Sequence, residues 1–343
     1  MTFTKEKLAQ LDTFLNQAKS VVITAHKSPD GDSVGSSLGL KNYLQKLGIN
    51  ATVCHPDPAP DFLWWMPAYQ EILNYEEHKS ETEAALLKAD LIFCLDYNSA
   101  GRIGKLDEIL EKSTAKRVMI DHHRDPDENF CDLIFSDPTN SSTSQMIFEL
   151  AEAQENLSLM DSTIGSPLYC GIVMDTGSFR FPSTSEKTFL VAAALKKAGV
   201  KHWEIHEAIY DNNTENKIRM TSYALLQKLV ILEDYRTSYL SLDRSEQEQY
   251  QAKKGDTEGL VNQALGIKGI SMAVFMKEAD GLIKMSFRSK GGIPVNDLAR
   301  DYFGGGGHKN AAGGRFIGKI QDAIAKFEEV LPLFFEKNKE HFS

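Results

Sequence analysis

No apolar run in this chain reaches the length of a bilayer span, so no membrane-crossing helix is expected in it. The N-terminus, MTFTKEKLAQLDTFLNQAKS, lacks the apolar core of a signal peptide. Its Leu8, Leu11 and Leu15 are spaced for an amphipathic helix instead. Cysteine is scarce: Cys54, Cys94, Cys131 and Cys170 form no CxxC pair and no zinc spacing. Cys94 and Cys170 lie in apolar runs, where a free thiol behaves as a small buried hydrophobe. These features predict a reducing compartment, the cytoplasm. Positive charge is short as well, with 38 Lys and Arg against 48 Asp and Glu and a formal net charge of −10. Non-specific grip on long nucleic acid needs a basic surface, so long DNA or RNA is not an expected partner. A small anion could still bind where metals supply the charge locally. Neither an internal repeat nor a low-complexity segment is present.

What the chain does have is ordinary globular composition, 42% hydrophobic and 25% charged, over 343 residues. That length suits two domains. In the first half, short apolar runs alternate with helical segments. Residues 20–25 (SVVITA), 90–96 (DLIFCLD), 117–121 (RVMID) and 168–175 (LYCGIVMD) are rich in Val, Ile, Leu and Phe and bounded by turn signals. They read as strands buried on both faces of a parallel sheet, with right-handed crossovers. A helix is predicted from about Asp32 to Leu47, ending at Gly48. Its Gly35 and Gly39, one turn apart, would allow close backbone packing.

From Ser185 to about Met220 the pattern is helical and increasingly polar, interrupted at Asp211-Asn212-Asn213-Thr214. Beyond it the texture changes. Residues 236–242 read as a strand, 271–277 and 282–288 as a hairpin around Asp280-Gly281, 295–302 as a helix and 321–337 as an amphipathic helix. The fold class is therefore α/β: an N-terminal parallel-sheet domain over residues 1–190, a helical linker over 191–215, and a smaller α+β domain over 216–343.

Four elements carry chemistry in the first half. His26-Lys27-Ser28-Pro29-Asp30-Gly31-Asp32-Ser33 follows a strand and opens a helix. His26, Asp30 and Asp32 offer one imidazole and two carboxylates there, and Gly31 permits a tight turn. Such mixed ligands suit Mn²⁺, Fe²⁺ or Zn²⁺ better than Mg²⁺ alone. Asp96 ends the second run, Asp121-His122-His123 the third, and Asp175 the fourth. Each alone could be a helix cap or a turn residue. Together they gather at one sheet edge, where ligands of open α/β sheets bind. Carboxylates so gathered repel one another unless cations lie between them, and two divalent ions would resolve this. The fifth element is Gly304-Gly305-Gly306-Gly307-His308-Lys309-Asn310-Ala311-Ala312-Gly313-Gly314. It fits neither a Walker A loop nor the dinucleotide fingerprint. Consecutive glycines can still present backbone N–H groups as an anion nest, with His308 and Lys309 as added donors, or form a plain loop between helices. Arg288, in SFRSK, could hold a phosphate with two hydrogen bonds.

These motifs resemble the DHH phosphoesterase family with its DHH-associated C-terminal domain. The matching segments are AHKSPDGDS, CLDYNS, IDHH and GIVMDTGSF, then FRSK and GGGGHKNAAGG, spread over nearly the whole chain. The compact two-domain form is similar to the branch of short-oligonucleotide ribonucleases and pAp phosphatases, the nanoRNases, with relatives that cleave cyclic di-AMP or pApA. The resemblance implies two Mn²⁺ ions, with Mg²⁺, Co²⁺ or Fe²⁺ left open by the ligand set. It implies that His26 and Asp30 bind the first and Asp32 the second, that Asp96 bridges both, and that His122 and Asp175 complete the ligands of the second ion. His123 would contact the scissile phosphate or protonate the leaving oxygen, so His123 and Asp96 are the expected catalytic residues. Arg288, Ser289, Gly305, Gly306, Gly307, His308 and Lys309 would bind the other end of the substrate.

The implied activity is hydrolysis of short oligoribonucleotides, of dinucleotides such as pApA and of pAp, extending to cyclic di-AMP. A homodimer through the first domain is implied only at the family level. Two rivals remain at this point, an inorganic pyrophosphatase or exopolyphosphatase and a non-catalytic nucleotide sensor. A sensor would be marked by a lost ligand, and every expected position is filled.

Overall fold

The computed structural model describes residues 2–253, 255–279 and 281–342. It divides into two compact units, Met1–Asn212 and Asn213–Ser343. Among the described residues no helix is long and apolar enough to cross a membrane.

The first unit is built on strands β1 (Val21–Ala25), β2 (Ala51–His55), β3 (Leu73–Asn74), β4 (Leu91–Leu95), β5 (Lys116–Asp121) and β6 (Leu133–Ser136). They lie in the order β3-β2-β1-β4-β5-β6, and every pairing is parallel. Its helices are α1 (Lys5–Gln17), α2 (Gly31–Lys46), α3 (Lys79–Lys88), α4 (Asp107–Lys112), α5 (Thr143–Ala153), α6 (Ser162–Asp175), α7 (Glu186–Lys197) and α8 (His202–Tyr210). Alternate residues of the central strands feed two different cores. Ile23, Phe93, Leu95, Val118 and Ile120 face the one that includes α2, α5 and α6. Val22, Ile92, Cys94 and Met119 face the one that includes Leu86 of α3 and Leu110 of α4. That two-sided burial is why these strands read as unbroken apolar runs. Val191, Leu195, Val200 and Ile205 also belong to the first core, so α7 and α8 pack within this unit.

One predicted strand is a helix. Residues 168–175 form the second half of α6, whose N-cap Asp161 accepts from the N–H groups of Thr163 and Ile164 at 2.9 and 3.2 Å. A run buried all round has no polar face, so period cannot separate helix from strand. Pro167 lies inside α6 and removes one helical hydrogen bond. The carbonyl so freed, that of Thr163, accepts from Asn42 Nδ2 on α2 at 3.0 Å. Gly31, Gly35 and Gly39 line the face of α2 towards α6, where a Cβ would collide with Met174, with the Pro167 carbonyl and with Leu168 respectively. The glycine spacing read from the sequence is thus what lets α6 lie against α2.

The second unit has strands β7 (Val230–Leu232), β8 (Thr237–Leu242), β9 (Met272–Ala279), β10 (Leu282–Ser289), β11 (Gly306–His308) and β12 (Ala311–Phe316). They form a mixed sheet in the order β11-β12-β10-β9-β8-β7, parallel only at β8–β9. Its helices are α9 (Glu215–Gln227), α10 (Arg244–Gln249), α11 (Leu260–Leu265), α12 (Val295–Phe303) and α13 (Ile320–Lys337). One face packs Met272, Val274, Met285 and Phe287 against α12 and α13. The other packs Leu240, Leu242, Ala273 and Phe275 against α9 and α11. The β9–β10 hairpin is present, but Asp280 of its predicted turn lies outside the described residues.

Candidate metal centre

Parallel pairing aligns the carboxyl ends of β1, β4 and β5, and each delivers a polar residue as the apolar run stops. His26 follows β1, Asp96 follows β4, and Asp121-His122-His123 closes and follows β5. Asp30 caps the N-terminus of α2, its Oδ1 accepting from the N–H groups of Asp32 and Ser33 at 3.0 and 3.1 Å. Asp32 sits in the first turn of the same helix. Asp175 arrives differently from the expected strand end: it is the last residue of α6, carried in by the glycine-mediated packing on α2.

The side chains converge. His26 Nε2 lies 3.3 Å from Asp96 Oδ2 and 3.8 Å from Asp30 Oδ1. His122 Nε2 lies 3.1 Å from Asp175 Oδ2, 3.5 Å from Asp96 Oδ1 and 3.8 Å from Asp32 Oδ2. Asp96, Asp121 and His123 form one ligand group, and two others are His26-Asp30-Asp96 and Asp32-Asp96-His122, the ligand atoms of each lying within 4.8 Å of one another. Asp96 belongs to all three, one carboxylate oxygen turned to His26 and the other to His122. Its backbone takes a left-handed φ of 62°, which costs a non-glycine residue about 1 kcal/mol or more, and Asp tolerates it better than most.

Asp32 is fully buried, and its two oxygens accept from the backbone N–H groups of Thr143 and Ser144 at 2.7 and 2.8 Å, at the N-terminus of α5. The Thr143 hydroxyl also donates to Asp96 at 3.2 Å. His26 Nδ1 contacts the Lys27 carbonyl at 2.9 Å, and His122 Nδ1 the Asn140 carbonyl at 3.3 Å. A carbonyl only accepts, so each Nδ1 carries a proton, and each Nε2 faces the carboxylates, as a donor when protonated and as a lone pair only where a cation takes that proton's place. His123 Nδ1 lies 2.7 Å from Asp121 Oδ1, with Asp121 fully buried.

The electrostatics say what is missing from such an arrangement. Burial alone would lower the His26 imidazole, but Asp30 and Asp96 outweigh it and hold its pKa well above the ordinary value. Burial is outweighed in the same way at His122, chiefly by Asp175 and Asp96. Burial, with the charges of Asp96 and Asp175 added, pushes Asp32 well above the usual carboxylate range, and burial also raises Asp175. At Asp96 burial is overcome by hydrogen bonds from His122 and His26, which hold it well below that range. Without metal, the cluster therefore draws protons onto its imidazoles and onto Asp32. Divalent cations would replace those protons and meet the Nε2 lone pairs, and the nitrogen and oxygen donor set fits them.

The second unit holds the remaining predicted residues on a sheet rather than in a loop. Gly306-Gly307-His308 form the edge strand β11, paired with β12, so the glycine-rich element is a hairpin and not an open connection between helices. Gly305 packs against the backbone of Gly313 and Gly314, where a side chain has no room. Register puts Arg288 opposite Ala311, and Ala311 opposite His308. Ser286, Gly313 and Gly306 form the next row, and Lys284 and Arg315 the third. Paired residues share a face, so Arg288, His308 and Gly306 lie together with Ser286, Lys284 and Arg315.

Ser289 and Gly307 belong to the opposite face by alternation. The Ser289 hydroxyl donates to the Ile293 carbonyl at 2.7 Å and accepts from Asn310 Nδ2 at 2.9 Å. Lys309 sits in the turn between β11 and β12. The alternation in LIKMSFRS could have flagged Lys284 beside Arg288. No local signal pointed to Thr143, Ser144 or Asn140.

The chain is similar to known proteins along most of its length. The DHH family, N-terminal domain, matches residues 20–172, and the DHHA1 domain matches residues 236–332. The bifunctional oligoribonuclease and PAP phosphatase NrnA of Bacillus subtilis is 31% identical over 299 residues, covering 86% of this chain and 88% of that protein. The cyclic-di-AMP phosphodiesterase PdeA of Listeria monocytogenes is 28% identical, covering 88% of this chain and 46% of that protein. Among solved structures, an exopolyphosphatase-related protein from Bacteroides fragilis matches with a TM-score of 0.92 at 35% identity, covering 99% of this chain and 98% of that one.

Proposed function

The chain belongs to the DHH family of metal-dependent phosphoesterases, and from that premise we propose that it hydrolyses short oligoribonucleotides and pAp with two divalent ions, Mn²⁺ by preference. The observation that carries this reading is Asp96, whose two oxygens face two separate histidine-carboxylate groups. One ion would be held by His26, Asp30 and Asp96, the other by Asp32, Asp96, His122 and Asp175. When bound, the ions would supply a nucleophile at neutral pH and neutralise charge on the phosphoryl oxygens.

The protein's own part is positional. Asp96 fixes both ligand groups to one strand end, and Thr143 and Ser144 hold Asp32 through backbone N–H groups that need not reorganise during reaction. Asp121 accepts from His123 Nδ1, which leaves Nε2 as the ring atom that would first take up a proton and then give it to the leaving oxygen. Arg288, Gly306 and His308, sharing one face of the second sheet, would bind a substrate phosphate, with Lys284 and Arg315 adding charge beside them. All four cysteines are free of disulfides, which supports a cytoplasmic setting.

A substrate panel with Mn²⁺ tests the reading: pApA, pAp, cyclic di-AMP, a twenty-residue oligoribonucleotide and inorganic polyphosphate, with His122→Ala as control. Turnover should be highest on pApA or pAp and absent in His122→Ala. Equal rates on the twenty-mer would remove the short-substrate claim. Preference for polyphosphate would replace the nucleotide reading, in line with the description of the Bacteroides fragilis protein.

A further inference from the structure

We propose that Asp57 is a positioning residue for His26, acting through the peptide group that joins Lys27 to Ser28. The inference rests on the metal reading given above and adds a residue to it. The carbonyl of that peptide, on Lys27, accepts from His26 Nδ1 at 2.9 Å. Its N–H, on Ser28, donates to Asp57 Oδ1 at 2.7 Å. One rigid plane is therefore gripped on both sides, in the sequence carboxylate, peptide, imidazole, ligand site.

Three features make this a built device rather than a surface contact. Asp57 is only 5% exposed, and a buried carboxylate needs a purpose and a partner. Ser28 adopts a left-handed φ of 59°, a conformation uncommon outside Gly, Asn and Asp, and the Asp57 bond lies at that strained residue. Pro56 and Pro58 flank Asp57 and limit its backbone. Topology supplies the proximity: Asp57 follows β2, which pairs with β1 in parallel register, Thr24 opposite Cys54. Both chains therefore leave the sheet at the same edge. The neighbouring His55 is engaged elsewhere, with its Nε2 3.1 Å from the Ser37 hydroxyl.

The chemistry is that of a carboxylate behind a ligating histidine, with a peptide interposed. A carboxylate on the N–H polarises the amide, so its carbonyl becomes a better acceptor for the Nδ1 proton. That holds the proton on Nδ1 and keeps the Nε2 lone pair turned towards Asp30 and Asp96, as a better metal donor. His123 receives its carboxylate directly from Asp121, and His122 gives its Nδ1 to the Asn140 carbonyl. The three histidines are thus supported in three different ways.

The test is a two-site Mn²⁺ titration of the full chain, by calorimetry with free ion followed by electron paramagnetic resonance, alongside thermal midpoints. Asp57→Ala should weaken one of the two sites about 10- to 100-fold, the range for loss of a supporting partner, and leave the other within about twofold. In a His122→Ala background, where the His26 site remains, Asp57→Ala should weaken that site by the same factor. Asp57→Asn, which keeps an oxygen acceptor but not the charge, should fall between wild type and Asp57→Ala, and it decides the matter if Asp57→Ala does not fold. Asp57→Asn with wild-type affinity at both sites would overturn the proposal, as would equal weakening of both sites in either variant. Wild type that binds no Mn²⁺ would instead sink the metal reading, and that is seen before any variant is made.

Discussion

In the first unit, Asp30, Asp32, Asp96, Asp121 and Asp175 are drawn together with His26, His122 and His123 at one sheet edge, most of them out of water. In the second, Lys284, Arg288, His308 and Arg315 spread along one face of a sheet, each partly or fully exposed. The two regions solve opposite problems. The first concentrates like charge where it is costly, and tolerates it through backbone donors and imidazoles, in groups that could also hold cations. The second keeps its charges near water, where each costs little. One site depends on tertiary packing between segments remote in the chain. The other depends chiefly on strand register.

That contrast can be broken experimentally. The largest effect is expected for Asp96→Asn, which touches both ligand groups. The turnover number should fall on the order of a thousandfold or more, as when groups acting as a unit lose a shared member, and fewer than two Mn²⁺ should bind per chain. Near-normal turnover would mean the two groups are not one centre. Next is Arg288→Ala on the second sheet. Loss of a charge-assisted hydrogen bond worth about 1.5–3 kcal/mol should raise KM roughly 10- to 100-fold, with kcat kept within a few-fold in steady-state kinetics. A fall in kcat alone would place Arg288 in the chemistry.

Metal removal separates the regions by stability. With Mn²⁺ at a hundred times its dissociation constant, each bound ion should add about 2.7 kcal/mol to the first unit against unfolding. Calorimetry with and without chelator should show that gain in the transition of the first unit and leave the second unmoved. The smallest effects come from a pair of glycines. A Cβ at Gly171 would collide with the Ser144 hydroxyl and press on Asp32, whereas one at Gly306 meets open space. Gly171→Ala should cost about 1–3 kcal/mol in chemical denaturation and reduce kcat. Gly306→Ala should stay within about 0.5 kcal/mol. Equal cost at both positions would remove the distinction between a packed site and an open face.

Much of this was legible in the residues alone. Strand ends at His26, Asp96 and Asp121, the glycine spacing on α2 and the β9–β10 pair all follow from local pattern, and each appears in the fold. Two readings were changed. Residues 168–175 are helical, because a segment buried on every side shows neither period. The glycine-rich element is a paired hairpin rather than a plain loop between helices, because glycines serve close backbone approach as readily as open connections.

The sequence by itself determined which donor types this protein brings to its site and that three of its strands would release them at a common edge. It could do so because burial on both sides of a parallel sheet forces an apolar run to end where the chain meets water again. Only the tertiary structure decided how those donors are held. Asp175 enters on a helix docked through glycines, and Asp32 is gripped by N–H groups 111 and 112 residues away. Asp57 reaches His26 through a peptide on a neighbouring connection. Such contacts join segments remote in the chain, and no local preference encodes which backbone group a carboxylate will meet once helices and strands have packed.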